Sequence, residues 1–407
     1  MHRPQGLPRA ADPDSPFPAG ARFPRRLLPL AVAAALPLVA AAQQPPHVGS
    51  VRVTAPRLAE LPLNAAAVDD DELRARRPAT SDTASLLKGI PGVSLYGAGG
   101  VSGLPSIRGL ADDRLRIRVD GIDTIASCPN HMNPALSYID PSAIGELKVF
   151  AGITPVSVGG DSIGGTIIAA TPEPAFAAPG AGSLARGEAG AYYRSNGGAR
   201  GVNASAGYLT ESVSLGYTGA WAEAGNYRAG GDFKDALATG RPGHSLPHDE
   251  AGSTAYRTRN HLLTIAHRGE SHLVEAKLGY QDMPYQLYPN QRMDLLENTQ
   301  ERANVRFVGT FGWGTLEARA YHERVEHFMD FGADKRYWYA GASGGPSAVD
   351  GTACAPAGSS CAAGMPMHTE SRTTGFSARA DVPLGDGGLV RAGGEYQGYR
   401  LDDWWPP

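Results

Sequence analysis

Val274-Glu275-Ala276-Lys277-Leu278-Gly279-Tyr280-Gln281 places an apolar or aromatic side chain at every second position and a polar or small one between. A period of two is that of a strand with one apolar and one polar face. The pattern recurs in Val202, Ala204, Ala206 and Tyr208, and in Leu316, Ala318 and Ala320 set against Glu317, Arg319 and Tyr321. Phe376, Ala378, Ala380 and Val382 oppose Ser377, Arg379 and Asp381 in the same way. Strands of about 10 residues, apolar outward and polar inward, are the signature of a transmembrane antiparallel β-barrel. Predicted short turns at 210–212, 268–271, 312–314 and 384–388 alternate with long connections at 223–256, 283–300 and 331–371. Tight turns on one side of a membrane and longer loops on the other would produce that alternation. A soluble β-sandwich would explain the strands but not the loop asymmetry. About nine strands are predicted before Trp404-Trp405-Pro406-Pro407. An odd, open sheet cannot close, and an open edge cannot sit in lipid. The barrel of 183–407 is therefore expected to be the N-terminal part of a longer one, incomplete and not a working channel as it stands.

The remaining sequence divides into three regions. Arg22 to Arg26 supplies a basic region, Leu27 to Val39 an apolar stretch and Ala40-Ala41-Ala42 a small-residue cleavage site. Residues 1–42 are thus expected to be a signal peptide. Residues 43–58 form a polar, proline-bounded segment with a β-like centre, Val51-Arg52-Val53-Thr54-Ala55. Such a segment is either a linker or a strand that adds itself to a partner's sheet edge. Residues 59–176 have a mixed α+β pattern. A capped short helix is predicted at Ser81–Leu87, with strands near Val93, across Arg114–Val119, at Glu146–Phe150 and at Gly164–Ile168. Glycine is 52 of 407 residues, charged residues are 19% and the net charge is −4, so nothing indicates a nucleic-acid partner.

Four motifs in order make the mixed region specific: Leu87-Lys88-Gly89-Ile90-Pro91-Gly92-Val93, Ile107-Arg108-Gly109, Val119-Asp120-Gly121 and Ile163-Gly164-Gly165-Thr166-Ile167. Together they resemble the plug domain of TonB-dependent outer-membrane receptors.

The candidate chemistry starts at Cys128, in Ser127-Cys128-Pro129-Asn130-His131-Met132. Thiolate, thioether and imidazole are soft ligands, and soft sets select copper, above all Cu(I). Pro129 could open a short helical turn that brings Met132 onto the side of Cys128, with His131 as a third donor. Packing of Cys128 and Met132 in an ordinary core is the competing reading. In Glu326-His327-Phe328-Met329-Asp330, His327 and Met329 are two apart and share a strand face, in phase with the polar set that points into the lumen. Cys354 and Cys361 enclose six residues and are read as a loop-stapling disulfide. Met365-Pro366-Met367-His368 could capture metal in a loop, and His244 and His248 have no partner that spacing identifies.

Cys-Pro-Asn-His-Met followed by His-x-Met, with Gln281–Gln286 and Pro289–Met293, resembles the copper receptor subfamily of TonB-dependent receptors (OprC/NosA type). That resemblance implies one copper ion held by Cys128, Met132, His327 and Met329. It also implies a Gram-negative outer-membrane location, and TonB engaging Val51, Arg52, Val53, Thr54 and Ala55. The alternatives are a siderophore or corrinoid receptor, a secreted copper redox protein using Cys128, His131 and Met132, and a truncated receptor without function. No catalytic constellation is apparent, and an enzyme is not expected.

Overall fold

The computed structural model describes residues 64–335 and 366–405, apart from 129, 130, 161, 236, 238, 240–242 and 386. The leader, Val51–Ala55, Cys354 and Cys361 lie outside the described residues.

The N-terminal region is a small mixed domain. Its strands are β1 (Ala65–Val68), β2 (Val93–Gly97), β3 (Gly103–Ile107), β4 (Leu115–Val119), β5 (Ile122–Asp123), β6 (Glu146–Ala151) and β7 (Gly165–Ala170), with one short helix, α1 (Asp70–Arg76). Five of the strands form a sheet in the order β1-β6-β7-β4-β5, in which β4 and β7 run parallel and β6 and β7 antiparallel. Leu73, Leu86, Leu87, Ile107, Val119, Leu136, Ile144, Leu147 and Ile167 fill its core with no exposed surface. Each fully buried side chain of this size stabilises the fold by roughly 1.5–3 kcal/mol. The predicted helix at Ser81–Leu87 is a 3-10 segment, Thr83–Leu87, and its cap is Asp82, which accepts from Ala84 N at 3.2 Å and Gly103 N at 3.1 Å. Ser81 bonds Tyr192 and Tyr256 of the large sheet instead, at 2.6 and 2.9 Å.

The large sheet contains β8 (Ser183–Arg194), β9 (Ala199–Thr210), β10 (Val213–Ala224), β11 (Tyr256–Arg268), β12 (His272–Gln286), β13 (Asp294–Phe311), β14 (Gly314–Asp330), β15 (Met367–Leu384) and β16 (Gly388–Trp404). All pair antiparallel with their sequence neighbours, and β8 and β16 form its two edges among the described residues. The period of two is obeyed in space. Val274, Leu278, Tyr280, Val305 and Phe376 are exposed on the outer face, while Glu275, Lys277, Gln281, Gln300, Arg302, Asn304 and Glu323 are buried on the inner one. An apolar exterior over a polar, filled interior reverses the pattern of a soluble protein. No helix among the described residues is long and apolar enough to cross a membrane. Two predicted connections are shorter than expected: 331–371 ends before Met367, where β15 starts, and the second is shortened at both ends. The 283–300 loop is only 287–293, because β12 runs through Pro284 and β13 starts at Asp294, with the register slipping between Leu295 and Glu297.

The domain is pinned to the inner face at Val119-Asp120-Gly121. Asp120 accepts from Lys277 Nζ at 2.9 Å and from the Thr171 backbone and hydroxyl at 3.0 and 2.9 Å, with Arg302 3.8 Å away. Its own carbonyl accepts from Asn304 Nδ2 at 3.0 Å and from Arg319. Burial alone would raise the Asp120 pKa, but the two cations and these hydrogen bonds outweigh it and bring it to about 2. A carboxylate whose folded-state pKa is depressed adds stability that is complete above its unfolded value near 4 and lost as pH falls toward 2. A drop of almost two units corresponds to about 2.5 kcal/mol. The domain should therefore detach from the sheet at lower denaturant concentration at pH 2.5 than at pH 6, as followed by protease cleavage within 64–176.

Candidate metal centre

The turn that carries Cys128 is held against the large sheet on both sides. Ser127 Oγ lies 2.7 Å from Ser371 Oγ of β15, and the Ala126 carbonyl accepts from Tyr399 OH of β16 at 3.3 Å. Ser102 Oγ donates to the Met132 carbonyl at 2.7 Å. His131 N bonds the Cys128 carbonyl at 2.9 Å, and His131 itself sits at φ +51°. The positive φ at His131 ends the predicted helical turn there. The segment still directs Cys128 and Met132 to the same side, where both are buried. His131 does not join them. Its ring faces Asp113 Oδ2 at 3.5 Å and Asp112 Oδ1 at 4.0 Å, so the third-donor reading is withdrawn.

The sheet supplies the other half. His327 and Met329 of β14 point inward and are buried, while Phe328 between them points outward against the His368 ring at 4.6 Å, which in turn stacks on Trp404 at 5.3 Å. The inward side chains form two cross-strand rows. Asn298, His327 and Thr369 make one, and Leu295, Met329 and Met367 the other. Directly opposed residues on one face have Cβ atoms about 4.5–5.5 Å apart. Cys128, Met132 and Met329 belong to one buried cluster, and Cys128 Sγ approaches Met329 Sδ to 4.0 Å. Both His327 ring nitrogens are buried without a hydrogen-bond partner. Leaving a buried polar atom unsatisfied costs about 1–3 kcal/mol, so such a ring calls for a ligand or another reason to be there.

Three further thioethers join the same cluster: Met283, Met293 and Met367, with Tyr288 and Phe331 closing its side. Met367, placed in a loop by the sequence, is the first residue of β15, and His368 beside it faces outward and brings no donor. A sequence signal existed for two of the three. Met283 is in phase with Lys277 and Gln281, and Met367 with Thr369, Ser371 and Thr373, all buried. Among the described residues no three His, Cys, Asp or Glu side chains gather as a metal-holding group. The assembled donors are therefore sulfur with one imidazole, a set suited to Cu(I) and similar soft cations.

Residues 57–166 match the family model described as TonB-dependent Receptor Plug Domain. No curated protein matches the chain in sequence. Among solved structures the chain is similar to "Copper transporter OprC", with 22% identity and a TM-score of 0.64 over 84% of this chain and 47% of that one. It is also similar to the FrpB iron transporter from Neisseria meningitidis, with 18% identity and a TM-score of 0.61 over 84% and 48%. A third match is the siderophore receptor PirA from Pseudomonas aeruginosa, with 15% identity and a TM-score of 0.55 over 84% and 49%. The chain thus spans about half the length of these structures. What it shares with them is a fold, a plug domain against the strands of an antiparallel barrel.

Proposed function

We propose that this chain, with the plug-and-barrel fold of TonB-dependent receptors, is the N-terminal part of an outer-membrane receptor that binds copper between plug and barrel and admits it to the periplasm. The observation that supports this reading is that Cys128 and Met132 of the plug share a buried cluster with Met329 of β14, two residues along the same inward face from His327. These four buried side chains include an imidazole without a partner and two sulfurs 4.0 Å apart. An iron or siderophore receptor has the same fold but has no need of a thiol and thioethers gathered in its interior. Copper is the cargo, and the four side chains are its ligands. The thiolate supplies charge, the thioethers and imidazole complete a soft shell, and burial excludes competing water.

Release is assigned to TonB, engaging Val51–Ala55 and drawing on the plug. Drawing the plug inward takes Cys128 and Met132 away from His327 and Met329, which parts the ligand set into two halves. The test is metal analysis of membrane-extracted protein equilibrated with Cu(I) under reducing conditions. About one copper per chain is expected in the parent and none in Cys128→Ser/Met132→Ala. An unloaded parent would sink the copper reading and leave a receptor whose cargo is something else.

A further inference from the structure

We infer that Asn298 is a positioning residue for the proposed copper site, setting which nitrogen of His327 is offered to the metal, an inference that rests on the copper reading above. It follows from how one chain of amides is hydrogen-bonded. Gln281 Nε2 donates to the Ser137 carbonyl of the plug at 2.9 Å and to Asn260 Oδ1 at 2.8 Å. Both amide hydrogens of Gln281 are thereby used, and its Oε1 is left as an acceptor. Asn298 Nδ2 supplies that hydrogen across 3.4 Å. The Asn298 amide is therefore oriented with its oxygen away from Gln281, and Oδ1 is buried with no partner of its own.

Asn298 sits directly opposite His327 on the same inward face. An acceptor without a donor thus adjoins an imidazole with neither nitrogen satisfied. A neutral imidazole has one N–H and one lone pair. Neither group bonds the other in this structure; when the ring takes up the metal, giving its N–H to Asn298 Oδ1 turns the lone pair of the other nitrogen to the sulfur cluster. The Asn298 bond then fixes both tautomer and ring angle, as partners of metal-bound histidines do. Because Gln281 is held by the Ser137 carbonyl of the plug as well as by Asn260 of β11, the seated plug and the sheet together set the polarity that reaches His327. Thr369, on the other side of His327 and also with a partnerless buried oxygen, is the competing acceptor.

The test compares the membrane-extracted parent with Asn298→Leu, Asn298→Asp and Thr369→Val, each checked for the heat-dependent gel shift of a folded barrel. Each is loaded with Cu(I) and titrated with bicinchoninate, and the imidazole contribution to copper is read by X-ray absorption. Asn298→Leu is expected to lose copper at roughly 10–100-fold lower chelator concentration, with a weakened imidazole signal. Asn298→Asp, which keeps an acceptor oxygen, and Thr369→Val should behave like the parent. The inference is overturned if Asn298→Leu retains copper as the parent does, if Leu and Asp weaken it equally, or if Thr369→Val alone reproduces the loss. A parent that binds no copper overturns the copper reading itself, an outcome distinct from all of these.

Discussion

His327→Leu is expected to lower copper retention by more than about 100-fold while leaving the barrel at least as stable as the parent. The first effect follows from removing the one nitrogen donor of the set, a larger change than the roughly 10–100-fold typical of losing a residue that only hydrogen-bonds a ligand. The second follows from burial. In the metal-free parent the ring holds two nitrogens with no hydrogen-bond partner, and an apolar side chain of similar size removes that penalty of about 1–3 kcal/mol. Opposite movements of binding and stability separate a ligand from a packing residue. Retention can be read by chelator competition, and stability by the temperature at which the barrel unfolds in detergent gels. A variant that loses stability together with copper would show that His327 serves the packing of β14.

Asp120→Asn is expected to loosen the plug by about 3 kcal/mol, the largest single effect on its seating. The substitution leaves Lys277 and Arg302 buried without their carboxylate, and breaking a buried pair from one side typically costs about 3–5 kcal/mol. The lower end is expected because Glu275 Oε1, 3.4 Å from Lys277 Nζ, still offsets part of that charge. The urea concentration that exposes residues 64–176 to protease should fall. A second substitution, Lys277→Met, on top of Asp120→Asn should then cost little more, since it removes the charge left unpaired. An additive double mutant would show that the two groups do not act as a pair.

Much of this fold could be read from local pattern. Val274–Gln281 and Leu316–Tyr321 carry a period of two that survives into the structure because each strand has its own apolar and polar surroundings. The inward setting of His327 and Met329 was legible for the same reason, from the phase of Glu317, Arg319 and Glu323. What failed were features that depend on other strands. The Cys128–Met132 segment reads as a helical start from Pro129, but its path is dictated by Ser127 meeting Ser371 and Ser102 holding the Met132 carbonyl, partners remote in sequence. Likewise the register slip between Leu295 and Glu297 brings Leu295 and Asn298, three residues apart, opposite Met329 and His327, which are two apart. No periodic reading of β13 alone could find that. Met293, outside any strand, had no periodic signal and entered only through the resemblance of Pro289–Met293.

On the outer-membrane reading, the outward ladder of Phe328, His368 and Trp404 gives one more quantity, the depth of the proposed centre. Phe328 lies one residue from both His327 and Met329, and successive strand residues rise about 3.3 Å or less in a tilted barrel. Aromatic ladders on the outer face of such barrels lie where lipid headgroups meet water. On the copper reading, the cargo thus exchanges its hydration shell for sulfur at headgroup height, before the hydrocarbon thickness begins. The longer part of its passage then lies below the centre, past the buried side chains of Glu323, Arg302 and Lys277, so on this reading it opens only when the Lys277–Asp120 contact that seats the plug is released.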